Sequence, residues 1–316
     1  MNKIIKGFIT LSILFAVMTG NQAIADQKIK FANVGWTGVT IKTKCTIQLL
    51  KAIGYDSEEK MMAVPITYLA LSQGEVDVFV GNWMPSMESI AGKFFKKGTV
   101  LKYKANMPGA KYTLAAPAYV VDAGLKDFKD LVKYGDKLDW KIYGIEAGND
   151  GNKIIQSMIN SDLHGLGKFK LIPSSEATML LQVGNYIKQN KWIVFLGWAP
   201  HSMNVRYDMK YLDGSTADTF GENNGTATVY TNLRKGFVSD HPNLAKFFNN
   251  LYFPINMMNE SMLEMFKDKN TKHKAAGMQW IKAHPEVYSN WFEGVKTADG
   301  KPALPVIDAY LKSTQF

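Results

Sequence analysis

Cysteine occurs once in the 316 residues, at Cys45, so no intrachain disulfide can form in any redox compartment. Arginine occurs only twice, at Arg206 and Arg234, although Lys and Arg together number 37 against 28 Asp and Glu. The formal charge of +9 is thus almost all lysine, and the longest lysine block is the pair Lys96-Lys97. Base readout and phosphate forks favour arginine, and nucleic-acid surfaces gather their cations into a stripe, so scattered lysines argue against a nucleic-acid partner. The histidines His164, His201, His241, His273 and His284 show no HExxH or other close ligand spacing. No GxSxG, GxGxxG or GxxxxGK[ST] occurs either, so hydrolase, dinucleotide and NTP readings have no local anchor. No apolar run reaches the roughly 20 residues that span a bilayer.

What is present begins with an export signal. Lys3 and Lys6 precede an apolar run over 8–18, and Ala23-Ile24-Ala25 supplies the small-x-small pattern that signal peptidase accepts. The expected mature chain starts at Asp26, carries a charge of +7, and has no cysteine at the cleavage point for a lipid anchor. An exported, soluble protein is expected. Hydrophobic residues at 46% and charged ones at 21% fit an ordinary globular chain, long enough for one large domain or two lobes. Cys45 lies in a stretch of helical spacing and reads as a small buried apolar residue.

Two α/β blocks follow from the periodicity. In the first, 28–34 alternates as a strand, 39–53 is amphipathic and stops at Gly54, 61–66 reads as a strand, 68–73 as a short helix, and 76–80 as a buried strand. In the second, strands are expected at 140–145, 168–172 and 192–196, with helices at 152–159 and 175–189, the latter capped by Ser174 or Ser175. A strand at 227–231 and helices at 242–251, 260–266, 272–284, 285–292 and 305–311 complete the chain. Crossovers near 105–118 and 205–228 would join two lobes, with a ligand cleft between them.

Both blocks end a buried strand at Gly, Trp and Pro: Gly81-Asn82-Trp83-Met84-Pro85 and Gly197-Trp198-Ala199-Pro200. Trp36 follows the first strand in the same way, and Tyr112 opens the first crossover. In open α/β sheets ligands sit beyond the carboxyl ends of the strands. Any one of these rings could simply cap a core, but four brought to one cleft form a box for a cation that cannot donate hydrogen bonds. Each ring contributes ~0.5 to 2 kcal/mol when desolvated, and each buried methyl carbon ~0.8 kcal/mol. Micromolar affinity, about −8 kcal/mol, is then within reach without a salt bridge. A sugar would stack on the same rings but needs more polar neighbours than Gly, Met, Ala and Pro supply.

Asn33-Val34-Gly35-Trp36-Thr37, Gly81-Asn82-Trp83-Met84-Pro85, Gly148-Asn149, Gly197-Trp198-Ala199-Pro200-His201 and Ala227-Thr228-Val229-Tyr230-Thr231-Asn232 resemble the motifs of periplasmic choline and glycine betaine binding proteins of ABC importers. The resemblance covers essentially the whole mature chain. It implies a two-lobed α/β binding protein of type II-like architecture, each lobe a mixed sheet flanked by helices. Lobe I would comprise 26–111 and 211–316, and lobe II 112–210. It also implies a monomer without catalytic activity, cofactor or metal, which delivers its ligand to an ABC permease in the inner membrane. Trp36, Trp83, Tyr112 and Trp198 match the aromatic box, and Asn149 matches a polar residue that positions the rest of the ligand.

One position departs from the pattern. Choline-binding members have Trp-Thr-Asp at the first motif, whereas this chain has Trp36-Thr37-Gly38, where a bare N–H near a helix start would suit a carboxylate. Choline and glycine betaine are therefore both expected candidates, with carnitine, proline betaine and sulfonium analogues behind them. From another class, a secreted enzyme acting on cationic metabolites could use Glu146 or Asp150 as a base. Pro108-Gly109 and the region of Gly214 are the expected hinges.

Overall fold

The computed structural model describes residues 28–316; the expected signal peptide and the start at Asp26 lie outside them. β1 (Ile29–Asn33) hands the chain to Trp36, which caps the helix Thr37–Ala52 in an extended backbone conformation. That helix ends as expected, with Gly54 at φ +90°. β2 (Ser57–Met61) pairs in parallel with β1 from Ile29↔Ser57 to Asn33↔Met61. The strand expected at 61–66 is thus displaced, and Val64–Gln73 is one helix with Pro65 in its first turn, where a missing N–H is tolerated. Ser-Glu-Glu-Lys-Met does not read as a strand because it lies at the sheet edge, where charged side chains face water.

β3 (Val78–Met84) runs past the expected end at 80, so Trp83 is a strand residue rather than a loop residue. The helix Glu88–Lys96 was not expected. Next comes β4 (Val100–Pro117), 18 residues where the sequence suggested only a crossover. β5 (Lys141–Tyr143), β6 (Lys170–Ile172) and β7 (Phe195–Ala199) follow with their helices Asp150–Asn160 and Glu176–Lys188. Ser175 caps the second, accepting from the Thr178 N–H at 3.1 Å. β8 (Met209–Tyr211) and β9 (Thr226–Arg234) precede the helices Pro242–Asn250, Ile255–Lys267, His273–Ala283, Pro285–Trp291 and Ala303–Ser313, each longer than or close to its expected span.

One sheet connects everything, in the order β2-β1-β3-β9-β4-β7-β5-β6 with β8 also on β4. Its two ends are parallel, β2-β1-β3 and β7-β5-β6, and its middle is antiparallel. β4 pairs with β9 from Val100↔Arg234 to Lys111↔Thr226, then with β7 from Lys111↔Ala199 to Ala115↔Phe195. The separate sheets expected of two lobes are therefore fused along one strand. β4 was hidden because Pro108-Gly109 and three register shifts break its alternation. The Met84–Pro85 and Ala199–Pro200 peptide bonds are cis.

Cys45 is fully buried, and burial pushes its thiol far above the usual value. The helix His273–Ala283 crosses over it at Gly277, where an added Cβ would stand 2.4 Å from Cys45 Sγ and 2.8 Å from Ile41 Cγ2. Only the absent side chain lets these helices approach. Gly277→Ala should lower the unfolding free energy by about 1–3 kcal/mol through overpacking, measured by denaturant titration; an unchanged midpoint would contradict this packing.

Candidate ligand-binding site

A cavity opens beside the carboxyl ends of β1, β3 and β7, and the four aromatic residues singled out by their positions, Trp36, Trp83, Tyr112 and Trp198, all line it. Tyr112 stands at the centre. Its ring lies 6.0 Å from that of Trp83 at 59° and 6.2 Å from that of Trp198 at 78°, and Phe220 meets it edge-on at 5.5 Å. The Trp198 ring lies 5.1 Å from the imidazole of His201. β4 and β7 set this arrangement directly, because Tyr112 and Trp198 are paired residues across the ladder. Burial, and then the nearby Asp150 and Glu146 charges, keep the Tyr112 phenol well above its ordinary value, so its ring stays neutral.

Trp36 reaches the cavity from the other side of the sheet's centre and is held by a carboxylate. Its Nε1–H donates to Glu146 Oε1 and Oε2 at 2.9 and 3.0 Å. The next residue is clasped as well: the Thr37 N–H donates to Glu176 Oε2 at 3.2 Å, and the Thr37 hydroxyl bonds Glu176 Oε1. His201 completes this group. The Met203 N–H donates to His201 Nδ1 at 3.1 Å, so Nε2 carries the ring proton and faces Glu176 Oε1 at 3.1 Å. Burial alone would push Glu176 up, but His201 and the Thr37 donors outweigh it and hold the carboxyl below its usual range.

Asn149 is the side-chain cap of the helix Asp150–Asn160. Its Oδ1 accepts from the N–H groups of Gly151 and Asn152 at 2.8 and 3.2 Å and from the Tyr112 hydroxyl at 3.1 Å. Its Nδ2 donates to Asp150 Oδ1 at 3.0 Å, so Asn149 orients two cavity residues from behind. Asp150 itself lines the cavity with 1% exposure, and its Oδ2 has no hydrogen-bond partner. Burial pushes its carboxyl up to about 6. Gly38, in the first turn of Thr37–Ala52, lines the opposite wall, and a Cβ there would come within 3.3 Å of Met262 Cε.

Several wall residues escaped the sequence reading. Asp150 had been weighed only as a catalytic base or helix-terminus acid, although its place beside Asn149 at a helix start was visible. Met258 and Met262 line the cavity from Ile255–Lys267, but their i,i+4 spacing is what any core-facing helix shows. Lys42 corrects the view of the lysines as scattered surface charge: it is 2% exposed and lines the cavity. Its Nζ donates to Asn106 Oδ1 at 3.1 Å and sits 5.4 Å from the centre of the Phe253 ring.

Residues 27–283 match the family described as the substrate binding domain of an ABC-type glycine betaine transport system. The chain belongs to this family. It is similar to a solved ABC-transporter choline binding protein in complex with choline, at 42% identity and TM-score 0.87, covering 90% of this chain and 98% of that one. Against lactococcal OpuAC in its closed form with glycine betaine, identity is 26% and TM-score 0.76, over 84% of this chain and 100% of that one. The glycine betaine/carnitine transport binding protein GbuC of Listeria monocytogenes is 30% identical over 172 residues, about half the length of either chain (54% of each). The fold is that of a two-lobed periplasmic binding protein, and the family is one of transport substrate-binding proteins rather than an enzyme class.

Removing the Glu176 carboxylate would strand the buried donors of His201 and Thr37. Glu176→Ala should cost about 1.5–3 kcal/mol of folding stability at neutral pH, measured by denaturant titration, and Glu176→Gln less. Because this carboxyl is lowered in the folded state, its contribution is present above the ordinary carboxylate range and is lost as the pH falls through the lowered value.

Proposed function

We propose that this protein captures a quaternary ammonium compound, choline or a carboxylated betaine, and delivers it to the permease of an ABC importer in the inner membrane. One observation carries the reading: four aromatic rings share a cavity with the unpartnered carboxylate oxygen of Asp150. Ring faces attract a cation that offers no hydrogen bond, and a nearby carboxylate balances its charge without needing a donor. In this reading Trp36, Trp83, Tyr112 and Trp198 enclose the methyl groups. Asn149 positions Tyr112 and Asp150, and Gly38 offers bare backbone at a wall packed close against Met262.

Residues 26–111 and 211–316 would form one lobe and 112–210 the other. The partner switch of β4 at Lys111 supports that boundary. Closure would turn about Pro108-Gly109, where the β4–β9 register slips, and about Gly214 at φ +94°. The protein would work as a monomer in the periplasm after cleavage at Ala25, without a cofactor. The enzyme alternative is less well supported, since Glu146 already bonds Trp36 and leaves Asp150 as the available base. Mass spectrometry after long incubation should return the ligand unchanged.

Isothermal titration should give binding tighter than millimolar to choline, glycine betaine or carnitine, and binding of none of them would sink the proposal. Proline betaine and a dimethylsulfonio compound belong in the same panel. Trp83→Ala should weaken the affinity at least about tenfold, the scale of one desolvated ring; unchanged affinity would remove Trp83 from the box. With Asp150 titrating near 6 in the free protein, affinity for a fixed cation should be full above that pH and decline as the pH falls below it. Asp150→Asn should flatten that decline between pH 7.5 and 5.

A further inference from the structure

The three tryptophans of the cavity are held in two different ways. Trp83 and Trp198 belong to β3 and β7 and take their places from those strands. Trp36 lies outside any strand, at the start of the helix Thr37–Ala52, and is fixed through its side chain instead. It is buried and lines the cavity, and its Nε1–H donates to both oxygens of Glu146 at 2.9 and 3.0 Å. Among the described residues, it is the one cavity tryptophan whose indole N–H has an acceptor. Glu146 is half-buried and lies outside the cavity lining. Burial pushes its carboxyl up, and the Trp36 donor is the largest influence opposing that rise. No Lys or Arg among the described residues forms an ion pair with Glu146, so no cation of the protein neutralises it at contact.

An N–H that donates to a carboxylate is polarised by it, and linked polar groups polarise one another in turn. In an indole the displaced density remains on the nitrogen and the π system, so the ring face becomes more negative. A more negative face attracts a cation more strongly and does nothing for a neutral molecule of the same shape. We propose that Glu146 is a positioning residue for the ligand: it fixes the Trp36 ring at the cavity wall and, through the indole N–H, strengthens that ring's attraction for a positive charge. Glu146 acts on the ligand only by way of Trp36. The inference rests on the quaternary ammonium reading and is the same whether or not the ligand also carries a carboxylate. A merely steric hold on Trp36 needs no charge, since a neutral amide oxygen accepts the same hydrogen bond.

The test compares ligands that differ only in charge: choline and glycine betaine, each against its carbon analogue with a tert-butyl group in place of the trimethylammonium. Affinities for the full mature chain are read at pH 8 by calorimetric titration, the analogues by competition where they bind weakly. Glu146→Gln keeps an acceptor for the Trp36 N–H and removes the charge. For the pair whose cation binds more tightly, it should weaken the cation at least about threefold and the analogue less than about twofold. Glu146→Leu serves if the amide variant fails to fold, and the same narrowing of the cation-to-analogue ratio is expected. In a Trp36→Phe background, which has no indole N–H, Glu146→Gln should change the ratio less than about twofold. Equal losses for cation and analogue, an unchanged ratio, or a full change that persists without Trp36 would each overturn the Glu146 assignment while leaving the quaternary ammonium reading intact. If wild type binds neither choline nor glycine betaine tighter than millimolar, the quaternary ammonium reading fails, and the Glu146 assignment with it.

Discussion

The hydrogen-bonded continuity of β4 is the constraint on which the rest of the molecule depends. Lys111 is paired on one side with Thr226 and on the other with Ala199, so the two halves of the sheet meet within a single residue. Tyr112, the next residue, is thereby set between Trp83 on β3 and Trp198 on β7. An aromatic cluster built from distant parts of the chain acquires its geometry from one strand. Backbone ladders are stiffer than loops, so Tyr112 and Trp198, paired across β4 and β7, are presented to each other already oriented, which reduces the ordering cost of binding.

Around this cluster the ionisable groups are sorted by what each one touches. Glu146 and Glu176 are given donors by Trp36, Thr37 and His201 and serve the protein's own structure. Asp150 and Lys42 line the cavity, and both are shifted by burial toward neutrality. A buried charge without a full set of partners is costly to maintain.

Much of the architecture was legible from periodicity, because buried strands such as β3 and amphipathic helices such as Asp150–Asn160 carry local patterns. What was not legible depended on neighbours. β2 is polar because it is an edge strand, and β4 is long because β9, β7 and β8 complete it rather than because its own alternation is clear. Gly-Trp-Pro punctuation did mark two residues that line the cavity, although Trp83 and Trp198 proved to lie within strands. Lys42 was invisible for a simple reason: a lysine on an amphipathic helix normally reaches water, and only the packing of Asn106 and Phe253 shows that this one does not.

The clasp on residues 36 and 37 has a kinetic consequence. Glu146 and Glu176 grip two consecutive residues, one of which is also a wall of the cavity, and their partners are 110 and 139 positions away in the chain. Trp36 therefore cannot swing clear of a bound molecule while those contacts hold. Under the proposed closure, escape of the ligand and rupture of the clasp become a single event. The residence time is then governed by how often the clasp breaks, and a partner that pries residues 36 and 37 from the two glutamates would discharge the cargo without touching it.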